Sequence, residues 1–525
     1  MRFFNTAGPT DCKKHYCIPP LERLNLEGIL SLIDQEKYFV LHAPRQTGKT
    51  TCLLALMDYL NRERNYRCLY FNVEVGQFAR EDVKQGMKAI LNEMASMART
   101  SLEDLFPKDI WRDVFEQSGE GGALNEVLTL WSQQSPKPLV LLIDEIDSLV
   151  GDTLISVLRQ LRAGYTKRPA FFPQSIVLCG VRDVRDYRIH SDRDKAVITG
   201  GSAFNIKAKS LRLGDFSQKE IELLYRQHAE ETGQTISVDA LDLIWELTKG
   251  QPWLTNALGY EVCFEMQEGQ DRSKAITPEM IAQAKENIIL RRETHIDQLI
   301  DKLQEERVRR VIEPILSGKG RPEQIPEDDI LYVKDLGLIN TLGELRIANK
   351  IYQEVIPRAL TYSTQLTISQ DSAWYMLENG CLDMDRLMEA FQQFFREHSG
   401  HWIERFQYKE AGPQLLLQAF LQRIVNRGGR IEREYALGRK RTDLLVILSY
   451  PGGVQKVVLE LKILYGALES TLEKGLEQTW EYMDHCGADQ GHLVIFDRDS
   501  DKSWEKKIFR REEEYQGRKI MVWGM

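Results

Sequence analysis

Residues 37–51 read KYFVLHAPRQTGKTT, and their reading decides the fold of the front of the chain. An apolar run, YFVLHA, passes into a polar turn ending Gly48-Lys49-Thr50, and TCLLALMDYLN follows with helical periodicity. Strand, tight loop and helix in that order form a phosphate-binding device. Backbone N–H groups and the helix N-terminus both turn positive charge toward an anion. The loop comprises Ala43, Pro44, Arg45, Gln46, Thr47, Gly48, Lys49, Thr50 and Thr51. Lys49 would reach the terminal phosphates and Thr50 would help hold Mg2+. Ala43 stands where the GxxxxGK[ST] pattern has its first glycine.

A second segment completes the pair. Residues 138–148, PLVLLIDEIDS, form an apolar strand ending in acid. Asp144 at the strand end is placed for the Mg2+ shell, Glu145 for polarising an attacking water, and Asp147 for orienting that shell or capping the next helix. RCLYFNV, SIVLCGVRD (175–183) and FNIKA from Phe204 supply further strands. At the tip of the second, Arg182 and Asp183 are either γ-phosphate contacts or a solvated turn. Alternation of strands and helices predicts a parallel sheet covered on both faces.

After that sheet, LRLGDFSQKEIELLYRQHAEETG opens a helical region with Asp215 and Ser217 as caps and Glu220 three residues beyond Ser217. In LIWELTKGQPWLTNAL one helix ends at Gly250 and another begins beside Pro252. Together APRQTGKTT, LLIDEID, DFSQKEI and GQPWLTNAL resemble the AAA+ and related STAND ATPases, and more closely the bacterial AAA-like domain ATPases, over roughly residues 1–290. The resemblance implies ATP as ligand, a helical lid and a homo-oligomer. HYCIPPLER fits the N-terminal clasp of those proteins, with packing as the plainer role for Tyr16 and Pro19. Arg185, Arg188 and Arg193 lie where an arginine finger would be sought, and none stands out.

Between 297 and 360, short helices, a Leu-Gly-Leu turn and a hairpin around TLGEL resemble a winged helix. Its supposed recognition segment, EDDILYVKDLG, is acidic, which favours coupling or protein contact over duplex phosphate. Arg291, Arg292 and ERVRRV (306–311) are a basic patch or solvated helix faces. Residues 361–372 read as a linker.

Near the far end, RTDLLVILSYPGGVQKVVLELK (441–462) reads as two strands joined at Pro-Gly-Gly, with Asp443, Glu460 and Lys462 inside apolar runs. From 421 to 462 there are nine Lys or Arg against four Asp or Glu. A helix starting near Glu410 precedes, a helix with Gln478 and Tyr482 at i and i+4 follows, and GHLVIFDRD is the next strand. That order resembles the PD-(D/E)xK nuclease core over roughly 396–525, with Thr442 in place of the proline. The resemblance implies Asp443, Glu460 and Glu410 as ligands of Mg2+ or Mn2+, Lys462 beside the attacking water, and Gln478 and Tyr482 positioning DNA. Glu460 and Lys462 share a strand face.

The organisation so read is a multidomain α/β chain: an ATPase core over 1–208, lid 209–295, winged helix 296–362, connector 363–395 and a nuclease-like α/β domain 396–525. At 525 residues, 42% apolar and 28% charged, the chain is long enough for several cores and has the composition of globular protein. No run reaches ~18 apolar residues, and the start carries no secretory pattern. Eight scattered cysteines are read as reduced thiols in a cytoplasmic protein. The net charge of −9 argues against a surface coated for nucleic acid while allowing a local patch. The expected activity is an ATPase controlling a nuclease that cuts nucleic acid, DNA above RNA, in defence or mobile-element biology. The rival is a STAND-like switch whose C-terminal domain binds without cutting.

Overall fold

The computed structural model describes the chain apart from residues 184–187, 192–195, 200–203, 292, 317–324, 342–344, 361–374, 406–416, 418–419, 422–428, 438–439, 465, 498, 500 and 501. Two compact units form: Met1–Asp297 with Leu331–Ile351, and Gln298–Ile330 with Tyr352–Met525.

In the first unit, strands β1 (Tyr38–His42), β2 (Arg67–Asn72), β3 (Leu139–Asp144) and β4 (Ser175–Gly180) are followed by a hairpin, β5 (Arg188–Ser191) and β6 (Ala196–Thr199), and then by β7 (Lys207–Arg212). The main sheet has the order β2-β3-β4-β1-β7 and every pairing in it is parallel. Alternate residues of each central strand feed two cores. Tyr38, Val40, Leu141 and Leu178 lie in one, Phe39, Leu41, Leu142 and Val177 in the other. Continuous apolar strands are therefore the signature of a sheet buried on both faces. The fifth strand starts later than FNIKA suggests. Phe204 is fully buried and stacks at 6.3 Å on Tyr38, so it packs ahead of the strand rather than within it.

The helix Gln218–Thr232 begins with the expected capping box: Ser217 accepts from the Glu220 N–H while the Glu220 carboxylate accepts from the Ser217 N–H. Helices Val238–Thr248, Pro252–Tyr260 and Pro278–Arg291 follow. Lys249 and Gly250 both adopt positive φ between the first two, and Pro252 opens the second of them. Farther along come helices Thr294–Lys302, Glu306–Leu316 and Glu327–Asp335, a short ladder of β8 (Ile339–Asn340) with β9 (Arg346–Ile347), and helix Lys350–Leu360. Of the suggested basic patch, Arg292 lies outside the described residues and three of the other arginines are ion-paired. Arg291 pairs with Glu261, and Arg307 and Arg310 both reach Asp329, at 3.3 and 3.1 Å.

The second unit is built on a mixed sheet of order β10-β11-β12-β13-β15-β14, made by β10 (Gly429–Leu437), β11 (Lys440–Tyr450), β12 (Gly453–Ile463), β13 (Gln490–Phe496), β14 (Phe509–Tyr515) and β15 (Arg518–Gly524). β12-β13 and β13-β15 are parallel and the other pairs antiparallel. Helix Leu468–Cys486 buries Leu476, Tyr482 and Met483 against Leu445, Val458, Leu493 and Ile495. Helix Met384–Arg405 packs Phe395 on Phe496, and Gln392 donates to the carbonyls of Phe509 and Gly524.

Cys12 and Cys17 are joined, contrary to the reduced-thiol expectation, while the other six cysteines are free. Among the described residues no helix is long and apolar enough to cross a membrane.

Candidate functional site

The phosphate loop leaves the C-terminal end of β1 through Ala43, whose methyl is fully buried in the sheet's core. Burial of that methyl explains why alanine serves where the motif has glycine. Gln46 and Gly48 take positive φ (56° and 89°), turning the chain sharply before helix Lys49–Glu63. Thr47 donates to Pro44 O at 2.8 Å and so braces the bend. The Lys49 ammonium folds back across the loop, donating to Ala43 O and Pro44 O at 3.0 Å each, and is 5% exposed. Arg45 is exposed at the crown.

Thr50 and Asp144 come together as their spacing in the two motifs requires. The hydroxyl donates to Asp144 Oδ2 at 2.7 Å. Asp144 is fully buried and also accepts from the Tyr70 hydroxyl at 3.0 Å and from the Glu145 N–H at 2.9 Å. Glu145 sits at φ 55°, and burial raises its pKa above the ordinary carboxylate value, with Lys49 opposing that rise. Asp147 does not cap the following helix, whose N-cap position is Val150. Its Oδ1 accepts the Val181 N–H at 3.2 Å and ties the ends of β3 and β4 together. Asp183 forms a buried ion pair with Lys207, and Arg182 lies over Tyr332 at 4.8 Å with Asp335 at 3.9 Å. Neither side chain is a solvated turn. Arg185 and Arg193 lie outside the described residues, as does the side chain of Arg188.

Several contributors to the site carry no motif. Asn5, Thr6, Ala7, Gly8 and Thr10 form one wall of a cavity beside the loop, lined also by Arg23, Gln46, Gly48, Thr51, Phe216 and Trp253. The Thr10 N–H bonds Thr51 Oγ1 at 2.9 Å, and Trp253 Nε1 donates to Thr6 O at 2.9 Å. His295 bonds Gln46 and stacks on Trp253 at 4.8 Å. The tertiary fold recruits these residues from opposite ends of the unit. Of these, Trp253 lies in the GQPW segment, whereas residues 5–10 and His295 carry no local sequence signal.

In the second unit, β11 and β12 form the hairpin expected around Pro451-Gly452, with Leu444 opposite Leu459 and Tyr450 opposite Gly453. The ladder ends at the Leu444–Leu459 pair, next in sequence to Asp443 and Glu460. Glu460 is 3% exposed, and its Oε1 accepts from Lys462 Nζ at 2.5 Å. Tyr482 is in the core cluster, 5% exposed, whereas Gln478, on the same helix, is half-buried. Glu410 and the side chain of Asp443 lie outside the described residues. Among the described residues no group of three or more His, Cys, Asp or Glu converges in a way that could hold a metal ion.

Residues 33–187 match the family described as AAA domain. The chain matches no curated protein. Among solved structures it is similar to the Walker-type ATPase of Pyrococcus abyssi, at 14% identity, covering 67% of this chain and 99% of that one with a TM-score of 0.44. It is also similar to Cdc6p of Pyrobaculum aerophilum (14% identity, 77% and 92% covered, TM-score 0.35). A RuvB variant of Thermotoga maritima is a further neighbour (17% identity, 64% and 94% covered, TM-score 0.34). The phosphate loop, the acidic end of β3 and the family match make residues 33–187 a P-loop ATPase domain of the AAA type.

Proposed function

We propose that the chain hydrolyses ATP in its AAA-type domain and, under control of the nucleotide, cleaves nucleic acid at a metal-dependent site on the β11-β12 hairpin, with DNA as the first substrate to test. The hydrolytic half rests on one observation above the rest, the 2.7 Å contact of Thr50 with the buried Asp144. A hydroxyl beside a buried carboxylate fits Mg2+, which these two residues would hold and which would offset charge on the terminal phosphates. Lys49 supplies a cation to the same phosphates, and Glu145, its proton affinity raised by burial, accepts a proton from water.

The nuclease half is supported by the β11–β12 ladder, whose last pair, Leu444 with Leu459, adjoins Asp443 and Glu460 in sequence, with Lys462 on the Glu460 face. Carboxylates on adjacent strands suit Mg2+ or Mn2+, with Glu410 as the further ligand that the nuclease pattern implies, and the metal would stabilise charge on the phosphate. Lys462 would orient water, and Gln478 would contact the strand. The acidic winged-helix-like segment, with Asp329 engaged by two arginines, is assigned to coupling within a homo-oligomer rather than to DNA. A second reading is an ATP-driven assembly switch whose C-terminal sheet only binds. The ion pair between Lys462 and Glu460 and the core position of Tyr482 favour it.

Cleavage of plasmid and single-stranded DNA with Mg2+ or Mn2+, with and without ATP, separates the two. The nuclease reading expects cutting that disappears in Lys462→Ala and loses its ATP response in Lys49→Ala. Hydrolysis of ATP without cutting under any condition gives the switch reading the lead.

A further inference from the structure

The peptide joining Thr47 to Gly48 lies at the turn of the phosphate loop, where backbone N–H groups must face an anion. A trans peptide holds its C=O and N–H antiparallel within one rigid plane. Whatever fixes the Thr47 carbonyl outward therefore also aims the Gly48 N–H inward. The group that does so is Arg23, outside both nucleotide motifs.

Arg23 Nη1 donates to Thr47 O at 2.7 Å, and Nη2 donates to Gly214 O at 2.8 Å. The guanidinium lies 4.7 Å over the Phe216 ring, and the Phe216 N–H is itself bonded to Gly250 O at 2.8 Å. One planar fork thus spans two carbonyls from separate segments, the phosphate loop and the joint between β7 and the capping box at Ser217. A lysine cannot reproduce that geometry, because its ammonium is a compact head on a flexible stem. The fit also explains Gly48 beyond its positive φ: a Cβ there would stand 2.7 Å from Arg23 Nη1.

We infer that Arg23 is a positioning residue for the nucleotide phosphates: it locks the Thr47–Gly48 peptide so that its N–H faces the anion, and it links that peptide to the segment entering the lid helices. This rests on the ATP reading above. The effect concerns phosphate, so it falls on ligands in proportion to what the loop holds and leaves the base alone. A mere clamp on the N-terminal segment would lower stability and weaken every ligand equally.

The test is calorimetric titration of the full chain with ATP, inorganic tripolyphosphate and adenosine, the weaker ligands read by displacement of a fluorescent ATP analogue. Loss of a charge-assisted hydrogen bond predicts that Arg23→Ala weakens ATP and tripolyphosphate about 10-fold or more. Adenosine affinity is expected to stay unchanged, and Arg23→Lys to fall between. Arg23→Gln, which keeps the stem and one donor group, serves if the alanine variant does not fold. Equal loss for all three ligands, or unaltered ATP affinity in a folded variant, overturns the inference. Failure of the unsubstituted chain to bind ATP removes the nucleotide reading itself, and this one with it.

Discussion

The Thr50 hydroxyl and the Asp144 carboxylate, 94 residues apart in the chain, meet at 2.7 Å. Tyr70 and the Glu145 N–H are the other donors to this carboxylate, which is fully buried at the end of β3. Asparagine preserves shape and removes the charge. Asp144→Asn should leave the unfolding transition close to that of the parent while lowering ATP turnover ~100-fold, the scale of removing one transition-state stabiliser. Phosphate release beside a thermal melt checks both parts.

Lys49 spends two donors on the carbonyls of Ala43 and Pro44, a pairing that phosphate oxygens would replace or extend. Ligand linkage then gives a direct readout. ATP at ~100 times its Kd should stabilise the parent by about 2.7 kcal/mol, and Lys49→Ala should show almost none of that gain. Denaturant midpoints with and without nucleotide carry the comparison.

Acid should destabilise the ATPase unit through His295. Burial holds this imidazole at about 3, against 6.5 for the free side chain. Below pH 6.5 the unfolded chain binds a proton that the folded chain refuses. The contribution is therefore complete above pH 6.5 and is lost as pH falls from there toward 3, at about 1.4 kcal/mol per pH unit. His295→Phe retains an aromatic ring against Trp253 and should flatten that share of the slope between pH 6.5 and 5. An unchanged slope in urea titrations would contradict the assignment.

Gly250 has φ 82°, and a Cβ there would stand 1.8 Å from Phe216 O. Backbone cannot yield as a side-chain tip can. Gly250→Ala should cost more than ~2 kcal/mol, and it should weaken ATP binding through Phe216, on which Arg23 rests. Chemical denaturation paired with nucleotide titration measures both.

Gln478 and Tyr482 differ in kind despite sharing a helix. Tyr482 is packed among Leu445, Val458, Leu493 and Ile495, so Tyr482→Ala should destabilise the second unit by about 3–5 kcal/mol. Gln478→Ala should stay within about 0.5 kcal/mol, leaving DNA cleavage as the property it alters. A large stability loss from Gln478→Ala would remove it from the nucleic-acid role.

Much of this protein was legible in one dimension. Glycine and lysine at 48 and 49, the apolar strand closing on Asp144 and the capping box at Ser217 are local devices, each written within a few residues and formed by short-range backbone chemistry. The hairpin through Pro451-Gly452 is equally local. Tertiary structure alone decided which distant groups meet at these devices. Arg23 reaches the Thr47 carbonyl, Tyr70 reaches Asp144, Asn5, Thr6, Ala7, Gly8 and Thr10 wall the cavity beside the loop, and Asp183 spends its charge on Lys207. Tyr482 likewise reads as a surface partner of Gln478 by spacing, yet the sheet claims its ring for the core. Spacing along the chain encodes what lies within a helical turn or across a tight hairpin. Contacts between segments tens to hundreds of residues apart depend on how two cores close over a sheet, and no local pattern carries that information.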